Sequence, residues 1–152
     1  AASDVYKRQE YILKNIPAYE RANEQLSQAT KQWQGEVEVL AKEAQTMFKD
    51  YQAASAKLTA AQKTQKEDAI VEKEKAASEL KRKYFGPEGE LFKKREELMK
   101  PIQDEIYNAV KAVAEENGYA VVVDRASASS IIFATPRIDV SNEVLAKLGY
   151  SN

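Results

Sequence analysis

Apolar side chains recur at steps of three and four residues through the first half of the chain. From Trp33 to Leu58 the two steps alternate strictly, which is the heptad pattern of a helix that packs along one seam against another helix. Pro17 stands where a first helical turn tolerates proline. We therefore predict a helix over about 17–56, roughly 40 residues and about 60 Å long, which a domain of this size could not enclose.

A second helix is predicted to return alongside the first. Residues 55–59 are expected to form the turn at the tip, with Thr59 as the N-cap of the returning helix. Apolar spacing resumes at Ile70 and continues to Tyr84. Residues 86–89 contain two glycines and a proline, which interrupt the helix.

The third helical stretch begins near Leu91, and Pro101 inside it should cause a bend or a local irregularity. Gly118 is a suitable helix stop. Two β-branched runs follow, at 120–124 and 130–134, and we interpret the first as a buried strand and the second as its companion.

Ser141 is expected to cap a short last helix that ends at Gly149. Two short strands are not stable alone in water, so they need a third strand, a neighbouring subunit or both. The predicted fold class is mainly α with a small β part: a helical hairpin over about 12–117 on a sheet-containing body that includes strands and a helix over about 119–149.

Composition narrows the possible chemistry. The net charge is -1, with 23 basic and 24 acidic residues, which argues against a general nucleic-acid binder. The chain has no Cys and no His, which excludes thiol catalysis, disulfides and Cys/His zinc sites. The carboxylate pairs Glu96–Glu97 and Glu115–Glu116 lie on charged helix faces. We predict no catalytic residue, no metal and no cofactor.

Residues 1–9 lack the apolar pattern that begins at Tyr11. Residues 4–9 resemble the translated end of a transposon used in DNA library preparation. We therefore expect a non-native start that replaced the native one and its export signal, with a genuine disordered N-terminus as the alternative.

The order of these elements resembles the Skp/OmpH family of periplasmic chaperones, over about residues 10–149. The matching segments are residues 10–13 with Ile16 and Pro17, 31–33, 84–94 (YFGPEGELFKK), 101–103, 118–124 (GYAVVVD) and 138–148. The resemblance implies a homotrimer whose strands join in a central body and whose hairpins surround a cavity. Unfolded outer-membrane proteins would be held there in the periplasm without ATP. The family has a strand just before Tyr11, where this chain has its suspect residues, so we expect an incomplete body.

Several residues are candidates for this work. Aromatic and methionine side chains off the main seam could contact clients or complete the packing of the hairpin itself: Phe48, Phe85, Phe92 and Met99. The tip lysines could touch anionic lipid or acidic client segments, or form an ordinary solvated face: Lys57, Lys63 and Lys66. The predicted hinge consists of Gly86, Pro87 and Gly89. The predicted oligomerisation strands carry Val121, Val122, Val123, Ile131, Ile132 and Phe133.

A structural coiled-coil spacer or tether of the cell envelope is the main alternative function. A prefoldin-like chaperone is disfavoured because its strands lie between its helices, whereas here they follow both. An assay of aggregation of an unfolded β-barrel protein would separate a holdase from a spacer.

Overall fold

The computed structural model describes residues 4–150. Its regular elements are β1 (Asp4–Lys7), α1 (Gln9–Lys14), α2 (Pro17–Ala54), α3 (Ala60–Phe85), α4 (Glu90–Asn117), β2 (Val121–Asp124) and α5 (Ser141–Leu148), with 3-10 turns at Ser55–Lys57 and Pro136–Ile138. The chain divides into two compact units. We call residues 25–95 the hairpin unit, and residues 4–24 together with 96–150 the sheet unit.

The hairpin unit is built from α2 and α3, which run antiparallel. Trp33 on α2 stacks on Tyr84, whereas Glu43, further along α2, pairs with the earlier residue Lys73 of α3. Residues further along α2 therefore contact earlier residues of α3, as expected for an antiparallel pair. Thr59 is the N-cap of α3, as predicted, so the sequence located the two helices and their turn correctly.

A capping box closes the start of α3. The Gln62 backbone N–H donates to the Thr59 hydroxyl at 3.2 Å, and the Thr59 backbone N–H donates to the Gln62 side-chain oxygen at 3.0 Å. Each residue thus satisfies a backbone donor that the first helical turn leaves without a partner.

In the sheet unit, β1 and β2 form a parallel pair in which Asp4 lies opposite Val121 and Lys7 opposite Asp124. Residues 4–9 form β1 and enter α1, which does not fit the alternative of a disordered N-terminus, whereas the expectation of a non-native start stays a prediction. Val5 and Tyr6 are buried, with 3% and 8% of their surface exposed, and this burial stabilises the strand. Residues 1–3 lie outside the described part of the chain.

The core of the sheet unit is formed where β1, α1, α5 and parts of α2 and α4 meet. Ile12 and Val144 have no exposed surface. The buried cluster comprises Val5, Ile12, Ile16, Ala22, Ile102, Ile106, Ala109, Val113, Val140, Val144 and Leu145. Helix α4 continues through Pro101, and the predicted bend or local irregularity there stays a prediction. Pro101 and Glu97, whose carbonyl loses its helical donor, are both exposed, so water can satisfy that carbonyl.

The strand predicted at 130–134 is absent, because residues 131–135 are neither helix nor strand. Within the described residues β2 pairs with β1 instead, which leaves this run without a strand to bond to. The β-branched composition of 131–133 favours a strand only where a partner completes the ladder. The first strand is also less buried than predicted, since Val121 is 48% exposed.

The N-cap of α5 lies one residue earlier in the chain than predicted. Its N-cap is Val140, and Ser141 is its first residue. The Ser141 hydroxyl donates to Asp139 Oδ1 at 2.5 Å and accepts from the Arg8 backbone N–H at 2.8 Å, so it joins α5 to the end of β1. Gly118 (φ 71°) and Gly149 (φ 90°) end α4 and α5 in the left-handed conformation that glycine favours, as predicted.

Candidate functional site

The end of the hairpin seam nearest to Trp33 is held by aromatic stacking. The Trp33 and Tyr84 rings lie 5.0 Å apart with an angle of 9° between their planes. The Tyr84 hydroxyl donates to the Glu36 carboxylate. Hydrogen bonds from Tyr84 and Gln32 hold the pKa of Glu36 below its ordinary value, while the same carboxylate raises the pKa of Tyr84. Trp33 is thus a packing residue, as its seam position predicted.

Beyond this end, lysines occupy seam positions of α3. Lys66, Lys73 and Leu80 follow one another at intervals of seven residues, so they lie on one stripe of the helix. Lys63 likewise lies seven residues, one heptad, before the buried Ile70. Lys73 donates to Glu43 at 3.0 Å across the seam. Polar residues at seam positions reduce the stability of a coiled coil, so this part of the seam is weakly packed.

An open groove follows from that weak packing. One stretch of it is lined by Val39, Lys42, Glu43, Thr46, Met47 and Lys73. The adjoining stretch is lined by Met47, Asp50, Tyr51, Lys66, Ala69 and Ile70. Met47 borders both stretches, and its flexible thioether can adapt to side chains of different shape. The lining of the groove therefore combines an adaptable apolar side chain with charged ones.

Three exposed apolar side chains lie next to seam residues of the same unit. Val39 is 56% exposed, Phe48 46% and Val71 58%. Phe48 was predicted, whereas Val39 and Val71 were missed. Each of the three adjoins a seam residue in sequence (Leu40, Met47 and Ile70), and this adjacency of an apolar residue to the stripe is the signal that could have found them.

The other predicted contact residues differ from one another in environment. Phe92 is 50% exposed on α4. Phe85 is half-buried, with its ring 6.3 Å from that of Tyr84 and nearly perpendicular to it. Met99 packs against the core of the sheet unit. Phe48, Phe85 and Phe92 thus belong to the hairpin unit and Met99 to the sheet unit, and the four do not form one site within either unit.

The predicted tip lysines also differ in setting. Lys57 is exposed on the 3-10 turn that follows α2. Lys63 is half-buried, and Lys66 lines the groove. Among residues 4–150 none of the three forms an ion pair. Their contact with an anionic surface stays a prediction.

The predicted hinge is a closely packed turn. The Gly86 N–H donates to Arg82 O at 2.8 Å, and the Gly89 N–H donates to Gly86 O at 2.9 Å. A Cβ placed on Gly89 would lie 2.8 Å from Lys83 O, and one on Gly86 would also overlap the backbone, at Arg82 O. Both glycines therefore serve close backbone approach, and a hinge motion at this turn stays a prediction.

The apolar residues predicted for oligomerisation are prominent on the sheet unit. Ile132 is 98% exposed and Phe133 is 82% exposed, while Ile131, Val122 and Val123 are half-buried. Large apolar side chains exposed to this degree in one segment are typical of surfaces that another chain covers.

In the described part of the chain, no cluster of acidic, His or Cys side chains has the geometry to hold a metal ion. Between residues 4 and 150 there is also no helix that is both long enough and apolar enough to span a bilayer.

Comparison with known proteins identifies the family. The profile of the family described as outer membrane protein (OmpH-like) matches residues 5–148. This match covers nearly the whole chain. The chain belongs to the OmpH-like family. No curated protein matches the sequence significantly.

The OmpH-like fold is also found by structural comparison. An OmpH-like protein of Caulobacter crescentus, assigned as an outer membrane chaperone, superposes with a TM-score of 0.78. The two share 14% sequence identity, and the match covers 97% of this chain and 84% of the other. The family match begins at Val5 and so includes three of the four residues of β1, which lies where we expected the body to be incomplete.

Proposed function

We propose that this OmpH-like chain is an ATP-independent periplasmic holdase that binds unfolded outer-membrane proteins and prevents their aggregation. One observation carries the proposal: the hairpin unit exposes the apolar side chains of Val39, Phe48 and Val71, and it has a groove lined by Val39 and Met47. The chaperone role assigned to the Caulobacter protein of the same family supports this interpretation.

The geometry suits weak binding of many sequences. Each exposed side chain offers only part of its apolar surface, and complete burial of a Val or Phe side chain stabilises a complex by about 1.5–3 kcal/mol. Several such partial contacts can hold an unfolded segment, yet each can break separately. Release then needs no nucleotide, because no single tight pocket has to be opened.

The same proposal includes a homotrimer. Strand edges, together with the exposed Ile132 and Phe133, favour completion of the sheet by other copies of the chain. Val121, Val122, Val123 and Ile131 would then become buried between chains. Hairpins from the three copies would surround the cavity in which the client is held.

The test measures light scattering from an unfolded outer-membrane β-barrel protein that is diluted from urea without nucleotide. The chaperone is present at one trimer per client molecule. We expect the wild type to suppress scattering. The triple variant Val39→Ser, Phe48→Ser, Val71→Ser should suppress it much less, because the apolar contacts are lost. A matched triple variant at exposed polar positions of the same unit, Gln28→Ser, Gln45→Ser, Gln65→Ser, should act as the wild type does.

Undiminished aggregation in the presence of the wild type would contradict the holdase proposal and favour a structural spacer or tether of the envelope. Equal activity of the two triple variants would show that the exposed side chains of the hairpin unit do not bind the client. Circular dichroism of each variant controls for loss of helical structure.

A further inference from the structure

Two thioethers are the only sulfur atoms of this chain, which has two methionines and no cysteine. Met47 lies on α2 in the hairpin unit, and Met99 lies on α4 in the sheet unit. Peroxides oxidise a thioether to a sulfoxide when they can reach the sulfur atom. The settings of the two methionines therefore decide which of them reacts in the folded protein.

Met47 is open to small oxidants through the groove. It lines both stretches of that groove, which have volumes of about 580 and 190 Å³. A peroxide molecule is not much larger than a water molecule, whose share of the liquid is about 30 Å³, so it can enter either stretch. An oxidant in either stretch is then next to the Met47 side chain.

Met99 has the opposite setting, because it packs against the buried apolar cluster of the sheet unit. A sulfoxide oxygen placed there would lack a hydrogen-bond donor, which makes its burial unfavourable. In the groove, by contrast, the same oxygen can accept a hydrogen bond from water. Lys66 also lines the stretch beside Met47, and within residues 4–150 it forms no ion pair. Met47 is therefore favoured both by access and by the stability of the product.

Oxidation of Met47 would change the groove without separating the two helices. Ala44 and Ile70, which are buried, with 4% and 7% of their surface exposed, keep the seam packed around this position. The sulfoxide, however, replaces a flexible apolar side chain with a polar one. The lining of both stretches would thus lose the apolar side chain that they share.

We propose that Met47 is a redox-sensitive site at which hydrogen peroxide selectively forms a sulfoxide and thereby weakens the binding of clients. The sulfur lone pair attacks one peroxide oxygen and the O–O bond breaks. The second oxygen leaves as hydroxide, takes the proton of the transferred oxygen and becomes water. Sulfur is oxidised by two electrons and the peroxide is reduced by two, and a methionine sulfoxide reductase reverses the change. The effect on clients rests on the proposed holdase function, whereas the selective oxidation does not.

The site itself is tested by treating the full chain with hydrogen peroxide, stopping the reaction with catalase and measuring sulfoxide in each methionine peptide by mass spectrometry. We expect the Met47 sulfoxide to form faster than the Met99 sulfoxide. The chain unfolded in urea is the matched control for intrinsic reactivity, and there the two should react at the same rate. Equal rates in the folded protein would overturn the proposal.

The effect on clients is tested by light scattering from the unfolded β-barrel protein. The amount of wild type that halves scattering should rise about fivefold on oxidation, because partial burial of one apolar side chain contributes roughly that factor to affinity. Each variant is compared with its own untreated sample: Met99→Leu should lose activity as the wild type does, and Met47→Leu should lose none. Treatment with methionine sulfoxide reductases of both stereospecificities should restore the wild type.

Equal loss of activity in the oxidised wild type and oxidised Met47→Leu, or no loss in the oxidised wild type, would overturn the effect on clients. Failure of the untreated wild type to suppress scattering would contradict the holdase proposal instead, and the rates of oxidation would still decide the site. Circular dichroism of each oxidised sample checks that the helices remain folded.

Discussion

At the scale of single residues, the structure explains why glycine occupies both ends of the turn between α3 and α4. Gly89 is buried, and Lys83 O and Gly86 O would lie 2.8 and 2.9 Å from an added Cβ. Glu88, between the glycines, has a φ of 57°, a backbone conformation that residues other than glycine rarely adopt. The sequence predicted an interruption here, but only coordinates could show that the turn is packed rather than open.

Gly89→Ala should therefore destabilise the protein, by about 1–3 kcal/mol, because backbone atoms must move to accommodate the methyl group. Gly35→Ala is the matched control, since Gly35 lies inside α2 with nothing within 4 Å of an added Cβ. It should stabilise the protein by about 0.5–1 kcal/mol through helix propensity. Urea unfolding followed by circular dichroism measures both, and a Gly89→Ala variant as stable as wild type would contradict the packed turn.

Asp139 stabilises the sheet unit through the hydrogen bonds that its carboxylate accepts. Burial raises its pKa, but hydrogen bonds from Ser141 and Arg8 outweigh that effect and hold the pKa below its ordinary value. A carboxyl whose pKa is depressed by folding stabilises the folded state above its unfolded pKa and loses that effect as the pH falls through its folded pKa.

Asp139→Asn should accordingly lower the free energy of unfolding by about 1–2 kcal/mol at neutral pH, since charge-assisted hydrogen bonds are lost. The difference from wild type should shrink as the pH falls below about 4. Asp104→Asn, at an exposed position of α4, is the control and should be close to neutral. A difference that is constant with pH would refute the role of the ionised carboxylate.

At the scale of elements, the long helices could be predicted because heptad spacing is repeated over many turns. β1 could not, because it has four residues and its partner β2 lies more than a hundred positions away. The reverse error occurred at 131–133, where a β-branched run has no strand beside it in the described chain. Local composition records strand propensity, whereas pairing depends on distant residues.

The candidate site was predictable only in part for the same reason. Phe48 could be identified as an apolar residue off the seam. The groove, in contrast, exists because Lys66 and Lys73 of α3 face the seam of α2, and that depends on how the two helices are aligned. The placement of Met99 against the core of the sheet unit likewise depends on tertiary packing.

Replacing a seam lysine with leucine should strengthen the hairpin. Lys73→Leu exchanges one surface ion pair, with Glu43, for apolar packing and should stabilise the protein by about 1 kcal/mol. Lys75→Leu introduces the same side chain at an exposed position off the seam and should give no comparable gain. If thermal unfolding showed equal effects of the two substitutions, the alignment of Lys73 with the seam would be wrong.

At the scale of the whole molecule, the two units favour different roles, assembly for the sheet unit and client binding for the hairpin unit. The sheet unit has a well-buried core and exposed apolar residues at 132 and 133, which favour assembly with other copies. The hairpin unit has few buried side chains and a groove, which favour adaptable contact. This combination of assembly through one unit and binding through the other is what the proposed holdase requires.

Multi-angle light scattering of the protein mixed with an unfolded outer-membrane β-barrel protein, separated by gel filtration without nucleotide, tests this account most directly. We predict a soluble complex whose mass equals three copies of the chain plus one client, with the client's tryptophan fluorescence still that of the unfolded state. Separate elution of the chaperone and an aggregated client would contradict the account.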